Sequence, residues 1–291
     1  MGNLLSGSKG AQQVYVSNLA RREHGAALVL IDPQADFHPG GALAIAGANA
    51  DAERTAAFIN KHAARLREVY VTLDTHQLYH IAHPCFWRGP DGACPKPFEV
   101  IKSDDVRAGK WRPAAQDRET AEWAEKYVSA LERNGRFVLC IWPPHCLVGT
   151  PGHAVVPAIA AALQEWERTQ LRAVTYVLKG ANSWTEHYSG IKAEVERPDD
   201  PRTALNTELL DQLKQHDLLI MCGQAKSHCV NFTVRDIAEH WNKDASRLVV
   251  LEDCCSSVPG FTSEGDKFVA DIRSKGLTVV TDSASFTPTI S

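Results

Sequence analysis

The sequence predicts an α/β fold: a doubly wound, mostly parallel six-stranded sheet with helices on both faces. Three observations predict it. Apolar runs rich in Val, Ile and Leu recur at residues 26–31, 68–73, 136–142, 173–178, 217–222 and 248–251. The runs are apolar on both faces, the pattern of parallel strands covered by helices rather than of half-exposed antiparallel ones. Segments of helical period lie between them, and strand alternating with helix implies right-handed βαβ crossovers in one sheet.

Taken in order, the first run, 26–31, leads to a helical pattern over 50–66. The second, 68–73, is followed by a Pro-, Gly- and charge-rich excursion from 83 to about 110, and then by a helix over 120–133. The third, 136–142, precedes a helix over 154–170. The fourth, 173–178, opens a polar excursion over 180–202 before a helix at 203–215. The fifth, 217–222, leads into a helix at 230–241, and the sixth is 248–251. No internal repeat or low-complexity linker interrupts the pattern. The expected organisation is therefore a flexible N-terminal extension over 1–25 and one domain over 26–291. Lid-like insertions lie near 83–115 and 180–202, because long loops in a compact domain are either functional covers or disordered.

Composition narrows the function classes. The 291 residues carry 31 Lys+Arg against 35 Asp+Glu, a formal charge of -4, with 44% apolar residues. That apolar content excludes wholesale disorder. The mild acidity offers no footprint for nucleic acid, and no apolar run is long enough to span a membrane. Eight cysteines lack the density of a disulfide scaffold, so a reducing, cytoplasmic compartment is expected. Cys85 and Cys94 have no partner pair at zinc-knuckle spacing and read as incidental. Gly2 and Ser6 match the N-myristoylation pattern, although so short a pattern recurs by chance and a frayed polar extension is the commoner explanation. A homo-oligomer is left open.

Reactive groups gather at the expected carboxyl ends of the strands, where open α/β sheets bind ligands. The first strand ends in Asp32, the second in Asp74 followed by His76, and the third runs on to His145. The fourth ends in Lys179, and Cys229 stands just beyond the fifth. A lone Asp at a strand end is more often a helix cap. A carboxylate, an amine, a thiol and two histidines on one rim are hard to explain by capping. The helical spacing of Val230, Val234, Ile237 and Trp241 places Cys229 at a helix N-terminus, where the dipole favours the thiolate and is expected to lower the thiol pKa.

The strings Ile31-Asp32-Pro33-Gln34-Ala35-Asp36-Phe37, Lys179-Gly180 and Gly223-Gln224-Ala225-Lys226-Ser227-His228-Cys229-Val230 resemble the isochorismatase-like cysteine hydrolases. Asp74-Thr75-His76 and Trp142-Pro143-Pro144-His145-Cys146-Leu147-Val148-Gly149-Thr150 narrow the resemblance to the nicotinamidases. It runs from about 26 to 280, and implies a Rossmann-like three-layer sandwich.

The resemblance implies Cys229 as nucleophile, Asp32 as proton acceptor and donor, and Lys179 as activating cation. It implies an oxyanion hole from the Ala225 and Cys229 N–H groups, with a cis bond between Gln224 and Ala225. Asp74, His76 and His145 match the ligands of a divalent metal, zinc first, with iron or manganese as alternatives. His80 is a candidate fourth or outer ligand, whereas His83 is not expected to bind directly. Phe37 and Trp142 match the aromatic walls around the substrate ring. Lys226-Ser227-His228 departs from the family's usual Thr-Asp-aromatic sequence, and the insertion carrying Trp87, Phe98 and Trp111 stands where it can fold over the site. The implied reaction converts nicotinamide to nicotinate and ammonia in NAD salvage. The alternatives are a cysteine amidase for another small carboxamide and a non-catalytic metal- or ligand-binding protein. The intact Asp32, Lys179 and Cys229 argue against the last.

Overall fold

Runs of branched apolar residues with no polar interruption can only be satisfied by burial on both faces. In the computed structural model they become the central strands. The structure describes residues 25–289 together with a two-residue strand, Val14–Tyr15. The rest of the N-terminal extension, with its acylation pattern at Gly2, lies outside the described residues.

The strands are β1 (Val14–Tyr15), β2 (Ala26–Ile31), β3 (Leu66–Asp74), β4 (Trp87–Arg88), β5 (Val100–Ile101) and β6 (Arg112–Pro113). They continue with β7 (Leu139–Cys140), β8 (Thr175–Lys179), β9 (Leu218–Gly223), β10 (Leu248–Leu251) and β11 (Thr278–Val280). The main sheet has the order β1-β8-β3-β2-β9-β10-β11. Six of its strands are parallel, and β1 adds to the β8 edge antiparallel. Every residue of β2 and β9 is buried, as strands covered on both faces require.

One expected strand is not in this sheet. Of the run 136–142 only β7 is extended, and it pairs antiparallel with β5 of the insertion. The backbone around it is committed elsewhere: Ile141 N–H donates to Glu99 O and Trp142 N–H to Ala82 O. Pro143 and Pro144 then end any further ladder. The sixth parallel strand is instead β11, a short, half-buried edge element whose apolar signal is correspondingly weak.

The helices are α1 (Ala48–His62), α2 (Ser103–Arg107), α3 (Arg118–Asn134), α4 (Pro157–Gln170), α5 (Thr207–Leu213), α6 (Cys229–His240) and α7 (Thr262–Ser274). Local chemistry sets their ends. Asp117 caps α3 by accepting Thr120 N–H, and Gly135 stops it in the left-handed conformation at φ 67°. Pro157 starts α4 later than the apolar period suggests, and Asn206 caps the shortened α5. The sequence pattern does not announce α7, whose buried stripe is only Gly265, Phe268, Val269 and Ile272. No helix among the described residues is long and apolar enough to cross a membrane.

The insertion over 83–115 is folded rather than loose. It holds β4, β5, β6 and α2, and its two small antiparallel ladders are β4–β6 and β5–β7. Trp87 is fully buried there, its indole N–H bonded to Ile81 O.

The chain leaves β2 toward β3 and β8 on one side and toward β9, β10 and β11 on the other. The crevice at this reversal is where doubly wound sheets bind ligands. Ile31 pairs with Gly223 across it, and Asp74 pairs with Lys179 two strands away. Four adjacent strands therefore deliver their last residues to one rim. The approach of β2 and β9 is close: a Cβ on Gly223, at φ 130°, would lie 2.0 Å from Ile31 O, so only glycine fits.

Candidate active site at the strand carboxyl ends

Each reactive side chain is placed by the strand that ends beside it. Asp32 follows β2 in a left-handed conformation, φ 46°. Its N–H donates to Thr72 O, and the Thr72 hydroxyl donates to its Oδ1 at 2.5 Å. Lys179, the last residue of β8, is almost fully buried. Its Nζ lies 2.9 Å from Asp32 Oδ2, 2.9 Å from Asp74 Oδ1 and 3.6 Å from Cys229 Sγ, and it also donates to His187 O. Cys229 opens α6, so its thiol sits at the helix N-terminus that its sequence spacing implies. One ammonium thus joins the two carboxylates to the thiol.

Electrostatics separates the roles of these groups. Burial pushes Asp32 up and Asp74 adds to the shift, while Lys179 and Thr72 pull it back without cancelling it. Burial opposes the charge on Asp74 as well, but His76 and Lys179 overrule it and hold that carboxyl well below the usual range. For Lys179, burial disfavours the ammonium, yet Asp32 and Asp74 keep it well above its ordinary value. The Cys229 thiol differs from the sequence expectation. Burial raises it well above its ordinary value and Asp32 and Asp74 reinforce this, with only Lys179 pulling down. Burial thus favours the protonated sulfur, and Lys179 bridges it to Asp32, the arrangement of a nucleophile with an adjacent base.

The Gln224–Ala225 peptide bond is cis, as the resemblance implies. The N–H groups of Ala225 and Cys229 donate to no acceptor among the described residues. Two unused donors beside a nucleophile suit an oxyanion.

Asp74, His76 and His145 converge. Asp74 Oδ2 lies 3.0 Å from His76 Nε2 and 3.3 Å from His145 Nε2. His145 donates from Nδ1 to Pro143 O at 2.8 Å, which leaves Nε2 as the free donor atom facing Asp74. Both ring nitrogens of His76 are buried without a hydrogen-bond partner. Orphaned imidazole nitrogens around a carboxylate are a costly arrangement on their own, and the donor set fits a divalent cation.

His80 and His83 both stand near His76, with ring centroids 4.4 and 5.2 Å away. His80 is already engaged: its Nδ1 accepts Ala82 N–H and its Nε2 faces Thr185 O at 3.2 Å. His83 Nε2 is buried with no partner, and its ring lies 5.6 Å from His145. Of the two, His83 has the free nitrogen.

The motif around Asp32 explains how the rim is held. Gln34 is fully buried and grips the backbone of Asp74, accepting its N–H at 2.7 Å and donating to its O at 2.8 Å. It also donates to His153 O at 3.0 Å. Asp36 Oδ2 accepts the N–H of Cys146 at 2.6 Å and so ties the His145 loop to the turn that follows β2. Gly180, at φ 76°, permits the close approach of Asp74: a Cβ there would lie 2.9 Å from Asp74 Oδ1.

A small chamber opens over Cys229, lined by Phe37, Leu43, Asp74, Trp142, His145, Glu186, Tyr188, Ala225, His228 and Val258. Phe37 and Trp142 are both buried in its walls, and the Trp142 indole N–H donates to Tyr188 Oη at 2.7 Å. Of the three insertion aromatics, Phe98 alone reaches a chamber residue, its ring 5.8 Å from Trp142. Trp87 and Trp111 are buried in the insertion. Sequence reasoning missed Glu186, whose Oε1 stands 3.8 Å from His76 Nε2 and whose Oε2 is buried without a partner. The only signal for it is its place in the polar excursion two residues before Tyr188. It missed the wall role of His228 as well.

No protein-family model matches the chain. It is 27% identical over 226 residues to the nicotinamidase/pyrazinamidase of Mycobacterium tuberculosis, across 77% of this chain and 83% of that protein. Among solved structures, the Acinetobacter baumanii nicotinamidase pyrazinamidase matches with a TM-score of 0.61 at 22% identity, covering 91% of this chain and 99% of that one. The pyrazinamidase of Pyrococcus horikoshii in complex with zinc matches with a TM-score of 0.53 at 19% identity, covering 88% and 99%. The chain therefore resembles a nicotinamidase/pyrazinamidase in sequence and shares the α/β fold of solved nicotinamidases.

Proposed function

We propose that the protein is a cysteine amidohydrolase that cleaves nicotinamide to nicotinate and ammonia. The observation that carries the reading is the contact set of Lys179, which joins Asp32 at 2.9 Å and Cys229 Sγ at 3.6 Å at the floor of an aromatic chamber. A binding protein gains nothing from burying a thiol, an ammonium and a carboxylate together. A thiol hydrolase needs all three. The curated relative named for nicotinamide and pyrazinamide hydrolysis supports this substrate class.

Asp32 takes the thiol proton as Cys229 Sγ bonds to the amide carbon. The carbonyl oxygen becomes an oxyanion between the N–H groups of Ala225 and Cys229. Lys179 keeps its charge throughout and offsets the negative charge that moves between Asp32 and sulfur. Asp32 then returns the proton to the amide nitrogen, the C–N bond breaks, ammonia leaves and a thioester remains. Water adds to the thioester with Asp32 again accepting a proton, and nicotinate and the free thiol result.

Asp74, His76 and His145 would hold a divalent metal, for which zinc is the first choice given the zinc-bound neighbour. Bound there, the metal would supply a Lewis-acid anchor for the ring nitrogen. Phe37 and Trp142 enclose the ring faces and exclude water. The eight cysteines carry free thiols, which suits a reducing cytoplasm, and nicotinate formed there would feed NAD salvage.

Ammonia release over a panel of small amides tests the reading. Turnover of nicotinamide that disappears in Cys229→Ala supports it. Selective turnover of a non-aromatic carboxamide would favour the broader amidase, and no turnover of any amide would overturn both.

A further inference from the structure

The insertion carries two cysteines to which sequence spacing assigns nothing. All eight cysteines lie within the described residues, and six of them are buried; half-buried Cys85 and exposed Cys94 are the two that solvent reaches. The fold brings these two together. Cys85 sits in the short helical turn Pro84–Phe86, and the chain passes through β4 and then doubles back. Gly89 N–H donates to Ala93 O at 2.8 Å, Gly92 N–H donates to Gly89 O at 3.0 Å, and Gly92 is left-handed at φ 81°. Arg88 spans the two residues: its Nη1 donates to Cys85 O at 3.1 Å and to Cys94 Sγ at 3.0 Å.

The two sulfurs have different surroundings. Cys94 Sγ is accessible and receives a guanidinium N–H, the electropositive and exposed setting in which thiols meet oxidants. Cys85 Sγ donates to Leu78 O at 2.8 Å; burial raises its pKa, and the neighbouring Cys94 adds to the shift. Cys94 is therefore suited to attack an oxidant and Cys85 to resolve the product. Leu78 O also faces His83 Nδ1 at 3.2 Å. A carbonyl can only accept, so Nδ1 carries the ring proton, and the free Nε2 of His83 stays beside the His76 ring. One carbonyl thus holds both the Cys85 thiol and the His83 imidazole.

We propose that Cys94 and Cys85 form a reversible oxidation site, closed to a disulfide by hydroperoxides, whose closure reaches the metal pocket through Leu78 and His83. The Cys94 sulfur attacks the peroxide: an S–O bond forms, the O–O bond breaks, and the far oxygen leaves with the thiol proton as water or an alcohol. The peroxide is reduced, and Cys94 is oxidised to a sulfenic acid. The Cys85 sulfur then attacks it: the S–S bond forms, the S–O bond breaks, and hydroxide leaves with the Cys85 proton as water. External thiols reopen the bridge by exchange. Closure takes the S–H donor away from Leu78 O and draws the turn after His83 toward Cys94, so His83 loses its fixed place beside His76.

Two measurements on the full-length protein test this. After treatment with hydrogen peroxide, remaining thiols are blocked with N-ethylmaleimide and non-reducing digests are read by mass spectrometry. The expected product is a Cys85–Cys94 peptide pair two hydrogens lighter than its reduced parts, formed before Cys229 is oxidised and reversed by dithiothreitol. Arg88→Gln should slow its formation several-fold, and in Cys94→Ser the Cys85 thiol should stay open to maleimide. In competition with a chromophoric chelator, the disulfide form should bind zinc about tenfold more weakly than the reduced protein, as for other groups that orient metal ligands. Peroxide should cause no such loss in Cys94→Ser. Cys85 and Cys94 both remaining open to maleimide after Cys229 is oxidised, or Cys94 oxidised with Cys85 still free, would overturn the disulfide. A disulfide that leaves zinc affinity unchanged would overturn its link to the metal pocket.

Discussion

Gln34→Met removes the clamp on Asp74 while keeping side-chain length. Gln34 accepts the N–H of Asp74 at 2.7 Å and donates to its O at 2.8 Å, and both groups are buried. Its third bond, to His153 O at 3.0 Å, lies at a more exposed position that water can reach. Leaving a buried backbone group unpaired costs about 1–3 kcal/mol. Two such groups, with little cavity contribution from a side chain of similar volume, give a loss of roughly 2–4 kcal/mol. Urea unfolding followed by circular dichroism should show the midpoint fall with an unchanged slope. Asp74 would also lose its alignment toward His76 and His145, so zinc affinity should drop about 10–100-fold, as for other groups that orient metal ligands. A midpoint change worth less than about 1 kcal/mol, with zinc affinity unchanged, would refute the claim that Gln34 positions Asp74.

Lys179→Ala removes the one group that lowers the Cys229 pKa, so the pH profile of iodoacetamide alkylation should move to higher pH; a profile that stays in place would count against electrostatic activation of the thiol. His145→Ala should weaken binding of nicotinamide far more than that of benzamide, which lacks the ring nitrogen; equal losses would contradict ring anchoring at the metal site. Glu194 is buried beside Arg136 and Asp236, and burial raises it from 4.5 to about 8. The folded state therefore holds its proton over a range where the unfolded chain has lost it, and stability should fall between about pH 4.5 and 8. Glu194→Gln should flatten that decline in urea titrations, and an equally steep decline would show that Glu194 is not its source.

The legible part of the site is the part that strands position. Asp32, Asp74 and Lys179 each follow an uninterrupted apolar run, so their sequence position already fixes which rim of the sheet they reach. Cys229 was equally readable, because the apolar period after it marks a helix start. The 136–142 run was misleading because its pairing partner, β5, lies in the insertion and no local pattern reports a long-range choice of ladder. The contrast between His80 and His83 was hidden for a similar reason. Ala82 N–H and Thr185 O occupy the two nitrogens of His80, which only the tertiary fold reveals. The direction of the Cys229 pKa was misjudged from the helix N-terminus alone, since burial and two carboxylates act against that dipole. Glu186 and His228 carry no spacing signal, and their meaning comes entirely from the chamber they line.

The central claim is that Cys229 attacks the amide carbon and carries the acyl group. Intact-protein mass spectrometry after rapid acid quench of enzyme mixed with nicotinamide tests it most directly. The account expects a transient mass increase equal to one nicotinoyl group, mapped by peptide digestion to Cys229 and missing from Cys229→Ala. Ammonia release at the full wild-type rate from Cys229→Ala, with no acyl adduct on the wild-type protein, would contradict it.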